Sequence, residues 1–301
     1  MTEMNVAQSM PVSRAHNHDS SADPYANSAR RQWWLVFCLL FLMMLGTIDR
    51  QIVSLLVNPI KEDLGLTDTQ ISIVYGAAFA LANLAFTLPA GYFADRLNRR
   101  LLVGLGATVW SVMTLFCGMA SNYWQLLWTR AGGGFGEGVI GPCSMSMLRS
   151  ALSPERRGRG FSVFSMASMT GSALALVVGG ILIGVITEAG ITSLPIVGDV
   201  APWQIVLILI GAVGTPLGLL MLTVYEPIRE QPAADASGAT FREALSYIGA
   251  RWKLYLPLFA YQALYGLSAL SFGAWIAAMI GRSYGLSIPQ IGATLGLMML
   301  I

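Results

Sequence analysis

The sequence predicts an all-α polytopic membrane protein, and three observations carry that reading. Of 301 residues, 55% are apolar and 11% charged, whereas an ordinary soluble domain has about 25% charged residues; mean hydropathy is +0.61. The apolar residues come in blocks long enough to cross a ~30 Å hydrocarbon core as helix. The basic residues gather in alternate gaps between those blocks, as cytoplasmic loops of membrane proteins do. A net charge of +2 leaves no basic footprint for nucleic acid.

The blocks cover residues 33–57, 69–93, 101–120, 123–148, 161–187, 203–225 and 254–280, and an eighth opens near Ser287. That last block has about 15 residues before Ile301, roughly 22 Å of helix, so the sequence reads as unfinished. With the N-terminus in the cytoplasm, every extramembrane basic residue from Arg14 to Lys253 except Lys61 lies inside, and only Lys61 and Arg282 lie outside. The expected organisation is a disordered cytoplasmic tail over 1–31, a six-helix transmembrane bundle over 32–225, a cytoplasmic linker over 226–251, and the start of a second bundle over 252–301. The tail is polar, holds His16 and His18, and has no apolar segment before a cleavage site. It reads as disorder with no removable signal peptide, the first span directing insertion.

Four ionisable residues fall within spans: Asp49 and Arg50 in the first, Arg130 and Glu137 in the fourth. Burying each costs at least a few kcal/mol, so such residues face a protein interior or a wet cavity. Two three-helix repeats would put spans one and four in equivalent positions, where transporters bind substrate; two structural ion pairs are the alternative. Arg50 lies about 25 Å from the inner end and Arg130 about 10 Å from the outer end, at similar depth. Thr47, Arg50, Ser54 and Asn58 recur at helical spacing as a polar stripe lining a cavity. Asp49 points about 100° away, toward a neighbouring helix, with Arg130 a candidate cation. Glu137 lies two turns beyond Arg130 near the midplane, where a carboxyl can load and release a proton. In span seven Tyr261, Tyr265 and Trp275 share a stripe with Ser268 and Phe272 that either lines a cavity or packs.

Gly136-Glu-Gly-Val-Ile-Gly141 has Gly-x-Gly-x-x-Gly spacing but follows no strand and lies in an apolar span, so it does not read as a dinucleotide site. Gly132, Gly136 and Gly134, Gly138 instead space for close helix contact, as does Gly179-Gly180. Cys38, Cys117 and Cys143 sit in separate spans without ligand spacing. No metal, no cofactor and no catalytic set is expected, and the chain does not read as an enzyme.

Between spans two and three stands Gly91-Tyr-Phe-Ala-Asp95-Arg96-Leu-Asn98-Arg99-Arg100, which resembles the Gly-x-x-x-Asp-Arg-x-Gly-Arg-Arg signature of the major facilitator superfamily. Asn98 replaces the second glycine, an exchange that Asn's tolerance of the left-handed conformation eases. Arg130-Ala-Gly-Gly-Gly134-Phe-Gly136-Glu137 and Ser153-Pro-Glu155-Arg-Arg-Gly-Arg159 are similar to further motifs of that superfamily. Within it, Ile48-Asp49-Arg50, Pro59-Ile60, Asp63-Leu64, Asp68-Thr69-Gln70 and Gly136-Glu137 are similar to the spinster-like lipid transporters and their bacterial relatives. In span five Ala175-Leu176 stands where drug antiporters usually show Gly-Pro, which counts against drug antiport.

The resemblance implies the major facilitator fold of twelve helices, alternating access and proton-linked movement of an amphiphilic anion such as a lysolipid or sphingoid phosphate. An organic-anion and proton symporter is the alternative. It implies coupling roles for Glu137 and Asp49, substrate-binding or gating roles for Arg50 and Arg130, and a cytoplasmic latch between the two halves from Gly91, Asp95, Arg96, Arg99 and Arg100. The expected partners are membrane lipid, the anionic substrate and protons, for a monomer in a bacterial inner membrane.

Overall fold

A computed structural model describes residues 24–25, 28–195, 197–228 and 241–299. Most of the expected tail and most of the linker's first half lie outside the described residues. The chain is a stack of long helices. The first, α1 (Ala29–Leu64), opens on Ser28, whose hydroxyl accepts from Arg31 N, and closes on Gly65 at φ 62°, a left-handed cap that glycine adopts without a Cβ penalty. Helix α2 starts with a Thr67–Gln70 capping box and runs through Asp68–Ser72, a π-turn at Ile73–Ala78 and Phe79–Arg96. Then come α3 (Arg99–Gly118), α4 (Tyr123–Ala151), α5 (Pro154–Glu188) and α6 (Pro202–Leu220). Between α5 and α6 a short β1 (Ser193–Leu194) pairs antiparallel with β2 (Gly198–Asp199). The linker contains α7 (Phe241–Ala250); α8 (Trp252–Tyr284) covers the seventh apolar block, and the 11-residue α9 (Ile288–Met298) falls in the eighth.

Six of these helices are long and apolar enough to cross a membrane: α1, α2, α3, α5, α6 and α8. Helix α4 has 29 residues, about 43 Å at 1.5 Å per residue, so length is not what sets it apart. Arg130, Glu137 and its glycines lower its hydropathy, and bundle packing replaces what it lacks in apolar character.

The packing has the pattern of two exchanged three-helix units. Helix α1 lies against α5 as α4 lies against α2, and α3 lies against α6. Glycines permit the closest of these approaches. A Cβ on Gly136 would stand 2.5 Å from Gly106 O of α3, and one on Gly138 2.7 Å from Asn83 O of α2; Gly134 meets Phe79 O of α2 in the same way. The glycine run of α4 is thus a pair of helix-contact faces, as its spacing predicts.

Two sequence expectations change at the end of the bundle that holds the start of α1. The first helix begins at Ala29 rather than after residue 31, and Tyr25, just before it, is buried. Its hydroxyl donates to Tyr225 O at 2.7 Å, and its carbonyl accepts from Gln32. Asn98 is extended, at φ −67° and ψ 110°, with its side chain accepting from Leu101 N. Its fitness for the glycine position comes from capping α3, not from left-handed tolerance.

Candidate functional site

Two ion pairs join α1 to α4. Asp49 is fully buried and its Oδ2 accepts from Arg130 Nη1 at 3.1 Å. The same oxygen accepts from Trp110 Nε1 of α3 at 3.1 Å, so three helices meet on one carboxylate. Arg130 is 4% exposed. Arg50, next in sequence, turns the other way and pairs with Glu137, their side chains 33% and 12% exposed. One pair is sealed; the other is open on one side. The hundred-degree step per helical residue separates them, as the sequence predicts. Of the two candidate partners for Arg130, Asp49 is the one taken, and Glu137, two turns along, pairs with Arg50 instead.

The polar stripe of α1 is only partly a cavity wall. Thr47 and Ser54 are buried and hydrogen-bonded to their own helix, Thr47 to Met43 O and Ser54 to Gln51 O. Short hydroxyls satisfy themselves in this way inside apolar helices. Thr47 also accepts from Arg50 Nη2 at 3.4 Å, and the backbone of α5 at Gly171 closes over it. Asn58, half-buried one turn beyond Ser54, accepts from Arg282 Nε of α8 at 3.0 Å. Arg282 also donates to Asp68, whose Oδ1 it shares with Lys61 Nζ at 2.8 Å. Beside this cluster a cavity of about 120 Å³ is lined by Leu55, Asn58, Gly281 and Ile291 among others.

Among the described residues, α8 packs on the bundle mainly near this cluster, through Trp275, Ala277 and Ala278. Tyr261 and Tyr265 stay exposed and stack on each other, ring centroids 6.2 Å apart. Of the span-seven stripe, Trp275 reaches the core and the two tyrosines do not. Trp275 also carries Arg282 over its ring, 5.4 Å from the centroid.

At the α2–α3 connection Arg99 is 2% exposed and saturated. Its Nε donates to Glu226 at 2.8 Å, Nη1 to the Ser146 and Ser150 hydroxyls, and Nη2 to Pro227 O. Arg100 gives its backbone N–H to Glu226 and its Nη1 to Val224 O. These arginines tie the start of α3 to the end of α4 and to the chain just after α6 within the first bundle, and in this structure Arg99 is fully engaged there. Arg96 is exposed over the Tyr92 ring, Gly91 lies half-buried on α2, and the side chain of Asp95 is outside those described.

The four charges are legible in the sequence. Trp110 is not among the residues that sequence reasoning finds, although a tryptophan near the middle of span three needs an acceptor for its N–H when buried. Among the described residues no cluster of His, Cys, Asp and Glu could hold a metal.

Comparison with known proteins agrees with this architecture. An "MFS-type efflux pump" of Mycolicibacterium smegmatis is 28% identical over 89% of this chain and 59% of its own length. A "Probable L-galactonate transporter" of Escherichia coli is 27% identical over 87% of this chain and 57% of its own. The crystal structure of a bacterial homolog of the human lysosomal transporter spinster, inward-facing and unoccupied, superposes with a TM-score of 0.75 at 28% identity, covering 89% of this chain and 59% of that one. The chain spans about three-fifths of the length of these relatives. They are transporters, not enzymes. The Major Facilitator Superfamily matches residues 39–301, on a fold shared with a spinster homolog, and the chain belongs to that superfamily.

Proposed function

We propose that the chain forms the first bundle of a secondary active transporter that moves an amphiphilic anion, such as a lysolipid or sphingoid phosphate, by proton-coupled alternating access. The observation that carries this reading is the division of labour between the two ion pairs. Asp49 and Arg130, sealed and braced by Trp110, hold α1 to α4; Arg50 and Glu137 are accessible enough to exchange partners. Glu137 Oε2 is buried without a hydrogen-bond partner among the described residues, so a proton has an oxygen to bind. Protonation removes the charge that holds Arg50, and the freed guanidinium takes a phosphate or carboxylate by charge-assisted contacts. Deprotonation of Glu137 draws Arg50 back and expels the anion. Asp49 Oδ1 is likewise buried without a partner among the described residues, but Asp49 is sealed and holds two donors on Oδ2, which makes it the static carboxylate and Glu137 the titrating one.

The closed outer end, where Arg282 reaches Asp68, and the likeness to an inward-facing structure support an inward-open state. The protein works as a monomer in a bacterial inner membrane with its N-terminus in the cytoplasm. The E. coli L-galactonate transporter among its relatives favours a second reading, symport of a small organic anion with a proton, which uses Arg50 identically. Uptake into proteoliposomes containing the protein tests both: a lysophosphatidate driven by a pH gradient, with galactonate and a neutral lipid of the same chain as competitors. Competition by galactonate alone selects the second reading, and equal transport of the neutral lipid overturns both.

A further inference from the structure

The π-turn at Ile73–Ala78 is absent from every sequence signal, and such turns gather at functional sites. It carries Tyr75. The ring of Tyr75 lies under the Arg130 guanidinium, with Cζ 5.0 Å from the ring centroid, while the edge of the same guanidinium donates to Asp49. A guanidinium accommodates both, since its donors lie in its plane and its faces stack on aromatic rings. The turn is gripped by α4 itself, whose Gly134, one helical turn beyond Arg130, brings its backbone against Phe79 at the end of the turn.

We propose that Tyr75 is a positioning residue for the α1–α4 site: its ring, carried by the π-turn of α2, holds the Arg130 guanidinium edge-on to Asp49. This extends the transport reading above, because the sealed pair keeps the Arg50–Glu137 pair in register. The π-turn interrupts the regular α-helical hydrogen-bond ladder of α2 beside this ring. Movement of α2 then withdraws the ring and loosens Arg130, which gives the second helix a direct mechanical link to the charged centre. The ionisable groups around Asp49 are Arg50 on its own helix, Tyr75 on α2, Cys117 on α3 and Arg130 on α4, with Glu137 reached through Arg50.

The test uses Tyr75→Phe and Tyr75→Leu, each in wild type and in an Arg130→Gln background. Two quantities are measured on the purified protein: thermal unfolding, and binding of oleoyl lysophosphatidate read by tryptophan fluorescence. Tyr75→Phe is expected to match wild type. Tyr75→Leu is expected to keep its helical content, bind about tenfold more weakly and unfold at lower temperature, a magnitude set by one desolvated cation–π contact. Its thermal effect is expected to disappear in Arg130→Gln, because coupled residues are non-additive. A Tyr75→Leu protein equal to wild type, a Tyr75→Phe protein as impaired as Tyr75→Leu, or an undiminished effect in Arg130→Gln overturns the proposal. The unfolding cycle needs no ligand, so a wild type that fails to bind the lipid rejects the lipid reading while the cycle still decides the role of Tyr75.

Discussion

Arg282 of α8 reaches Asp68 at the start of α2, Nη2 to Oδ1 at 2.9 Å and Nη1 to Oδ2 at 3.3 Å. This two-point contact joins the seventh span to the first bundle at the end opposite Arg99. Lys61 shares the same carboxylate, so Asp68 is the hub and Arg282 the arm. Both side chains are substantially exposed, and salt screens such pairs. Asp68→Asn and Arg282→Gln are each expected to raise the labelling rate of a cysteine at Gly281 severalfold, with the gap from wild type narrowing as ionic strength rises. Unchanged labelling in both variants removes the pair as a clamp between α8 and the first bundle.

The two arginines of the centre should respond differently to substitution. Arg50 is the partly accessible one, and Arg50→Lys is expected to weaken binding of a lysophosphatidate about tenfold through loss of the planar fork, with little change in unfolding temperature. Arg130→Met strands a buried Asp49 and is expected to cost roughly 3–5 kcal/mol of stability. A stable Arg130→Met protein, or an Arg50→Lys protein of normal affinity, would reverse the assignment of sealed and exchanging pairs.

Glu137→Gln copies the protonated state permanently. Arg50 then stays released, so anion exchange between loaded liposomes should persist while accumulation driven by a pH gradient falls to background. Normal accumulation by this variant moves the proton to another carboxylate.

The buried Arg99 depends on Glu226 for its counter-charge. Glu226→Gln keeps the shape and one acceptor but removes the charge, and is expected to lower stability by roughly 1–3 kcal/mol, seen as a lower unfolding temperature in detergent. Transport rate per folded molecule should change little, since Arg99 is committed within one bundle. A strong transport defect in a fully stable protein would restore Arg99 to a gating role.

The apolar spans and the four charged residues can be read from sequence because each leaves a one-dimensional mark: a long apolar block, or a charge where none belongs. Which charge meets which is only half legible. The helical step places Asp49 and Arg50 on different faces, yet the choice of Arg130 over Glu137 as the partner of Asp49 depends on how α1 crosses α4. The crossing in turn depends on glycines whose contacts lie on α2 and α3. Thr47 and Ser54 mislead because a hydroxyl bonded to its own helix has the same spacing as one facing water. Nothing in Ile73–Ala78 marks a π-turn, so Tyr75 has no signal at all. Arg99 looks like its neighbour Arg96, and only the return of the chain at Glu226 buries the one and leaves the other exposed.

Gly46 offers the sharpest test of whether the Arg50–Glu137 pair must stay reachable. It precedes Arg50 by one helical turn, and a Cβ there would lie 3.6 Å from Glu137 Oε1 and 3.9 Å from Arg50 Nη1. These are ordinary contact distances, so Gly46→Ala fits without moving either helix, and its intrinsic helix preference adds slight stability. A methyl at that point removes contact with water from one side of the pair, while the branched side chain of Gly46→Val projects farther over it. Charge separation in a drier setting is harder. Exchange rate is therefore expected to fall modestly in Gly46→Ala and at least tenfold in Gly46→Val, with both proteins folded by unfolding temperature and helical content. If Gly46→Val exchanges anion at the wild-type rate while retaining its fold, the Arg50–Glu137 pair does not open during transport, and the anion must be held elsewhere.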